Sequence, residues 1–252
     1  MRRAVAIGLL ACCLLSARAA DPFLVREVSS GAASYPYAVY LPEGYDPAAG
    51  RKWPVILFLH GIGDRGHDGR RQTRVGLGRA IRENPSRFPF IVVMPQCPKG
   101  RFWTDDAMMA QALAALDRSV EEFGGDPARE YLTGLSMGGY GVWYFATRNP
   151  GRFAALAPIC GGIAFPGTRP AVGEDPYTRA ARDVGATPVW IFHGSDDPRV
   201  PVTESRRMTE AIRKAGGSVR YTEYPGVRHN AWDRAYAEPG LPEWFLSSRL
   251  GR

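Results

Sequence analysis

Two patterns of apolar positions alternate along the chain. Residues 55–59 (Val-Ile-Leu-Phe-Leu), 90–94 (Phe-Ile-Val-Val-Met) and 189–192 (Val-Trp-Ile-Phe) are continuous apolar runs, which suit strands covered on both faces. Residues 35–41 alternate apolar and polar and stop at Pro42, as a half-buried strand should. Residues 131–133, 153–159 and 219–224 read as further strands. Between them lie helical patterns. Residues 106–123 carry Met109, Leu113, Leu116 and Val120 at three- and four-residue spacing and end at Gly124-Gly125. Residues 203–215 repeat this with Met208, Ala211 and Ile212 and end at Gly216-Gly217, and residues 137–148 are compatible with a third helix. Alternation of this kind predicts an α/β fold, a mostly parallel central sheet with helices on both faces. Such sheets carry their chemistry at the carboxyl ends of the strands. Residues 165–185 leave room for a minimal lid.

The amino terminus breaks this pattern. Arg2-Arg3, an apolar run over residues 4–15 and then Ala17-Arg18-Ala19 have the order of a secretory leader, so cleavage is expected after Ala19. The expected organisation is a signal peptide over residues 1–19 and one catalytic domain over 20–252, secreted or periplasmic. A retained anchor, or lipidation at Cys12, is the alternative. The run is short for a membrane span, so no stable membrane insertion is expected after cleavage. Removing 1–19 takes away three arginines and no acid, and the net charge falls from +7 to +4. No basic block interleaved with aromatics appears, which argues against nucleic-acid binding. Cys97 and Cys160 would remain; whether they pair is left open. With no CxxC pair or His-rich tract, no metal site is indicated.

The candidate chemistry starts at Gly134-Leu135-Ser136-Met137-Gly138, a G-x-S-x-G motif between a predicted strand and a predicted helix. Composition alone would supply about 0.16 such motifs by chance, so the context carries the weight. A serine hydroxyl needs a histidine to take its proton and an acid to orient that histidine, in the chain order serine, acid, histidine. Of the four histidines, His60 and His67 precede Ser136, and His193 leaves little chain before it for the acid. His229, in the polar loop after the last strand, fits. The acid is expected after residues 189–192, where Asp196 and Asp197 compete and the spacing favours Asp197. Backbone donors for an oxyanion are expected from Met137, after the serine, and from Ile62 in His60-Gly61-Ile62-Gly63. His60 is expected to organise that loop. Trp103 and Trp232 are candidates to line a substrate pocket.

These segments, with Met94-Pro95-Gln96-Cys97-Pro98, Pro158-Ile159-Cys160-Gly161-Gly162, His193-Gly194-Ser195-Asp196-Asp197 and Gly226-Val227-Arg228-His229, resemble the bacterial α/β-hydrolases described as predicted peptidases or phospholipase/carboxylesterase-like esterases, which are similar to dienelactone hydrolases. The resemblance covers most of the chain from about Tyr37 to Trp244. It implies an α/β-hydrolase fold with Ser136, Asp197 and His229 as the catalytic residues and no cofactor. The expected activity is cleavage of small-molecule or polysaccharide-linked carboxylic esters. A serine peptidase of the same fold is the alternative.

Overall fold

The computed structural model describes residues 21–30, 33–163 and 173–251. The expected leader over residues 1–19 lies outside them, as does part of the expected lid segment. The strands are β1 (Phe23–Ser30), β2 (Ala33–Tyr40), β3 (Trp53–Leu59), β4 (Ile91–Pro95), β5 (Gly125–Leu135), β6 (Ala155–Ile159), β7 (Val189–Gly194) and β8 (Val219–Tyr224). The helices are α1 (Leu77–Glu83), α2 (Asp106–Glu122), α3 (Met137–Arg148), α4 (Pro176–Val184), α5 (Thr203–Lys214), α6 (Trp232–Ala237) and α7 (Leu241–Leu246). None of the described helices is long and apolar enough to cross a membrane.

All eight strands form one sheet in the order β1-β2-β4-β3-β5-β6-β7-β8. β1 and β2 make an antiparallel hairpin, and β2 lies antiparallel to β4. Every pairing from β4 through β3 to β8 is parallel. The expected mostly parallel sheet is therefore correct, with an antiparallel hairpin added at one edge.

The sheet divides the core in two. Along β3, Val55, Leu57 and Leu59 face one side and Ile56 and Phe58 the other, the period of two that a strand imposes. The first side packs against α2, α3, α4 and α5 through residues such as Leu116, Phe145, Tyr177 and Met208. The second packs against α1, α6 and α7 through Leu77, Tyr236 and Phe245. Each such aliphatic or aromatic side chain, fully buried, stabilises the fold by about 1.5–3 kcal/mol. This double cover is why the β3, β4 and β7 segments read as unbroken apolar runs.

Candidate active site

Three loops at the carboxyl ends of β5, β7 and β8 bring Ser136, Asp197 and His229 together. Ser136 is the single residue between β5 and α3. Its backbone sits at φ 53°, ψ −117°, a region that costs a non-glycine residue about 1–3 kcal/mol. The turn is held by its neighbours. The Ser136 amide donates to the Ile159 carbonyl at 3.0 Å, and the Tyr140 amide donates to the Ser136 carbonyl at 3.1 Å. Gly138 is required here, because a Cβ on it would lie 1.9 Å from the Leu59 carbonyl oxygen.

His229 bridges the other two side chains. Its Nε2 lies 2.9 Å from Ser136 Oγ and its Nδ1 lies 2.7 Å from Asp197 Oδ2. A hydroxyl, an imidazole and a carboxylate so linked can pass the hydroxyl proton to the ring while the carboxylate holds the ring's orientation. Asp197 Oδ1 accepts the Arg199 and Val200 amides at 2.8 and 3.0 Å. Burial pushes the Asp197 carboxyl upward, but hydrogen bonds from His193, His229 and those two amides win and hold it well below the usual carboxylate range. Asp196 is turned away. It accepts the Ser195 hydroxyl at 2.6 Å, and Ser195 Oγ in turn accepts the Gly226 amide at 2.9 Å. Ser195 thus ties the His229 loop to the loop that carries Asp197, with Asp196 orienting its hydroxyl.

An open pocket of about 540 Å³ lies over Ser136 and His229, with Ile62, Leu135, Met137, Tyr140, Val200 and Trp232 on its walls. Ile62, 47% exposed, stands in a short 3₁₀ turn at the rim. Met137 opens α3, where leading amides have no partner inside the helix. Trp232 sits edge-on to the His229 ring at 5.4 Å. His60 is buried, accepts the Cys97 amide on Nε2 at 3.0 Å and donates from Nδ1 to the Gly61 carbonyl at 2.7 Å. Burial, with Arg65 nearby and against the Gly61 hydrogen bond, lowers its pKa to about 4. A neutral ring braced on both nitrogens organises its loop.

Trp103 corrects an expectation. It is 0% exposed and absent from the pocket walls. Its Nε1 donates to the His60 carbonyl at 3.0 Å and its ring packs edge-on against His60 at 5.1 Å. It supports the loop from behind and has no face open to a substrate.

Sequence reasoning set His193 aside as the base and gave it no other role; its Nε2 lies 3.2 Å from Asp197 Oδ2. The signal was its i, i+4 spacing to that acid. It also passed over Asp64 and Arg199, both on the pocket wall. Cys160 Sγ falls within 4.8 Å of ligand-type atoms of Asp197 and His229. The hydrogen bond joining those two side chains occupies the space between them, and no metal role is assigned.

The Esterase family matches residues 32–237. Acyl-protein thioesterase 1 of Gibberella zeae is 24% identical over 73% of this chain and 87% of its own length. An "Uncharacterized secreted protein" of Arthroderma benhamiae is 25% identical over 71% of this chain, which spans 21% of that protein. A solved thermostable esterase superposes with a TM-score of 0.77 at 30% identity, covering 91% of this chain and 64% of that one. With the parallel sheet and the pocket at its strand ends, these matches make the protein an ester hydrolase of the α/β-hydrolase fold and a member of the Esterase family.

Proposed function

We propose that the chain cleaves carboxylic esters through an acyl-enzyme at Ser136. The observation that carries this reading is the unbroken row from Ser136 Oγ through His229 to Asp197, at 2.9 and 2.7 Å. Ser136 Oγ bonds to the ester carbonyl carbon while its proton passes to His229 Nε2. The carbonyl oxygen becomes an oxyanion held by the Ile62 and Met137 amides. The bond to the alcohol oxygen then breaks, and that oxygen takes the proton from His229. Water adds to the acyl carbon, gives its proton to His229, and the carboxylic acid leaves as Ser136 regains its hydrogen. Apart from the ester and water, every step uses groups of the chain itself. The predominantly apolar walls of the pocket suit an acyl or aryl portion of modest size, with Trp232 beside the reacting atoms.

The proposed site of action is outside the cytoplasm, after removal of residues 1–19. The leader-like order of those residues supports this, as does the secreted relative. Small-molecule esters, or acetyl and feruloyl groups on polysaccharide, are the proposed substrates.

A panel of nitrophenyl and feruloyl esters beside peptide amides, run with wild type and Ser136→Ala, tests the reaction. Ester turnover and fluorophosphonate labelling are expected, with kcat in Ser136→Ala down by about 10⁴-fold or more. Peptide cleavage without ester turnover, or labelling that survives the substitution, overturns the reading. The mass of the exported chain should begin at Ala20; a start at Cys12 refutes the cleavage.

A further inference from the structure

A second imidazole reaches the same Asp197 oxygen that holds His229. His193 lies near the end of β7 with no exposed surface. Its Nε2 is 3.2 Å from Asp197 Oδ2 and 3.0 Å from the Val200 carbonyl oxygen. Both neighbours only accept, so Nε2 carries a proton. Its Nδ1 is 2.7 Å from Ser205 Oγ on α5, whose hydroxyl can donate to it. Five side chains therefore form one row: Ser205, His193, Asp197, His229 and Ser136. Asp197, with no exposed side-chain surface, stands at its centre.

The contact has a definite task. Oδ1 of Asp197 is fixed by two loop amides, and Oδ2 holds both imidazoles. Without His193, His229 is the one side-chain donor on Oδ2, in a place that water does not reach. The carboxylate then concentrates more charge on His229 and is freer to turn about its own axis.

We propose that His193 is a positioning residue for the hydrolase, its Nε2–H, bonded to the Val200 carbonyl and 3.2 Å from Asp197 Oδ2, steadying the Asp197 carboxylate and limiting the charge that Oδ2 presents to His229. This rests on the reading of Ser136, Asp197 and His229 as the reacting set. Several titratable groups face this row. Glu223 on β8 lies beside His193 in the strand register and is held by Arg206 at 2.6 and 2.9 Å and by the Tyr221 hydroxyl. Glu204 on α5 accepts from the Tyr177 hydroxyl and the Ile163 amide. Cys160 after β6 and Tyr140 on α3 are both pushed up by burial and stay neutral in the working range. Arg199 is exposed on the pocket wall.

The test compares two amides. In His193→Gln the amide nitrogen can reach the place of Nε2; in His193→Asn it reaches only the Ser205 side. Both variants, His193→Leu and Ser136→Ala are assayed on a nitrophenyl ester from pH 5 to 9; in wild type and the His193 variants active sites are counted by fluorophosphonate so that folding losses cancel, and Ser136→Ala is compared per mole of folded protein. In His193→Asn and His193→Leu, kcat per active site should fall about tenfold, the size of one hydrogen bond to a charged acceptor, with KM nearly unchanged. The acidic limb of kcat/KM should move to higher pH, because His229 then faces a more basic carboxylate. The low-field proton resonance of the Asp197–His229 bond should move with it. His193→Gln should restore all three. If the Gln and Asn variants are indistinguishable while Ser136→Ala is inactive, this inference is wrong and the reaction stands. If Ser136→Ala keeps its activity, the reaction itself is misassigned. If His193→Leu fails to fold, the contrast between Gln and Asn still decides.

Discussion

Asp64 and Asp197 are carboxylates of one site driven in opposite directions. Burial raises Asp64 to about 6, with Arg71 opposing it weakly. Asp197 is also desolvated, but four donors reverse the sign. For Asp64 the folded chain binds more protons than the unfolded chain between about pH 4 and 6. Its contribution therefore favours folding in acid and is lost as pH rises through about 6. Asp64→Asn should stabilise the protein at pH 7.5 by about 1 kcal/mol, allowing for the partial exposure of the group. Thermal melts at pH 7.5 and pH 4 check this. An equal gain at both values would show that the effect is not electrostatic. Asp197 has the reverse dependence, stabilising above the ordinary carboxylate range and losing that contribution as pH falls further. Ser136, Asp197 and His229 were legible as a set because proton transfer demands three residue types in a fixed order, and the chain offers four histidines to choose from. Asp64, His193 and the true place of Trp103 were not. Their roles depend on which side of a loop each side chain turns to, and that direction leaves no periodic trace.

At the scale of elements, the start of α3 is the tightest joint. The helix begins so close to β3 that Gly138 has no room for a Cβ against Leu59, and Gly139 would meet the Ile159 carbonyl oxygen at 2.6 Å. Both obstacles are backbone and cannot rotate aside. Gly138→Ala is expected to lower stability by about 4 kcal/mol or to prevent folding. Gly63→Ala, with nothing within 4 Å of its added Cβ, should change stability by less than about 0.5 kcal/mol. Urea unfolding of the pair measures the contrast; equal midpoints would refute the steric account. The strands covered on both faces and the long helices α2, α3 and α5 could be read from the chain because their burial is continuous or strictly periodic. α1, α6 and α7 have six or seven residues, too few for a helical period to stand out. β1, eight residues at the edge of the sheet, escaped notice because Arg26, Glu27, Ser29 and Ser30 break up its apolar positions. β5 is longer than residues 131–133 because Asp126, Arg129 and Glu130 sit within it. Arg129 pairs with Asp126 at 2.8 Å and Arg152 with the buried Glu130 at 3.0 Å, so charges that look like loop residues lie inside a strand.

For the whole molecule, the sheet decides what the cysteines can do. Cys97 and Cys160 are both free and buried, Cys97 in the core that packs α2 and α3 and Cys160 in the one that packs α6 and α7. Burial pushes the Cys97 thiol up to about 12 and the Cys160 thiol higher still, so neither supplies a reactive thiolate near neutral pH. Ellman's reagent should label neither in the folded chain beginning at residue 20, and both in strong guanidinium. Rapid labelling of the native protein would contradict the burial of either one.

Two thiols divided by a β-sheet make oxidation a one-way ratchet. A bridge between them, or from either to another molecule, can form only after the core has come apart, so an oxidising medium traps the unfolded chain and offers the native one nothing. Refolding yield should then depend on added reductant, even though Cys97 and Cys160 stay unpaired in the folded chain.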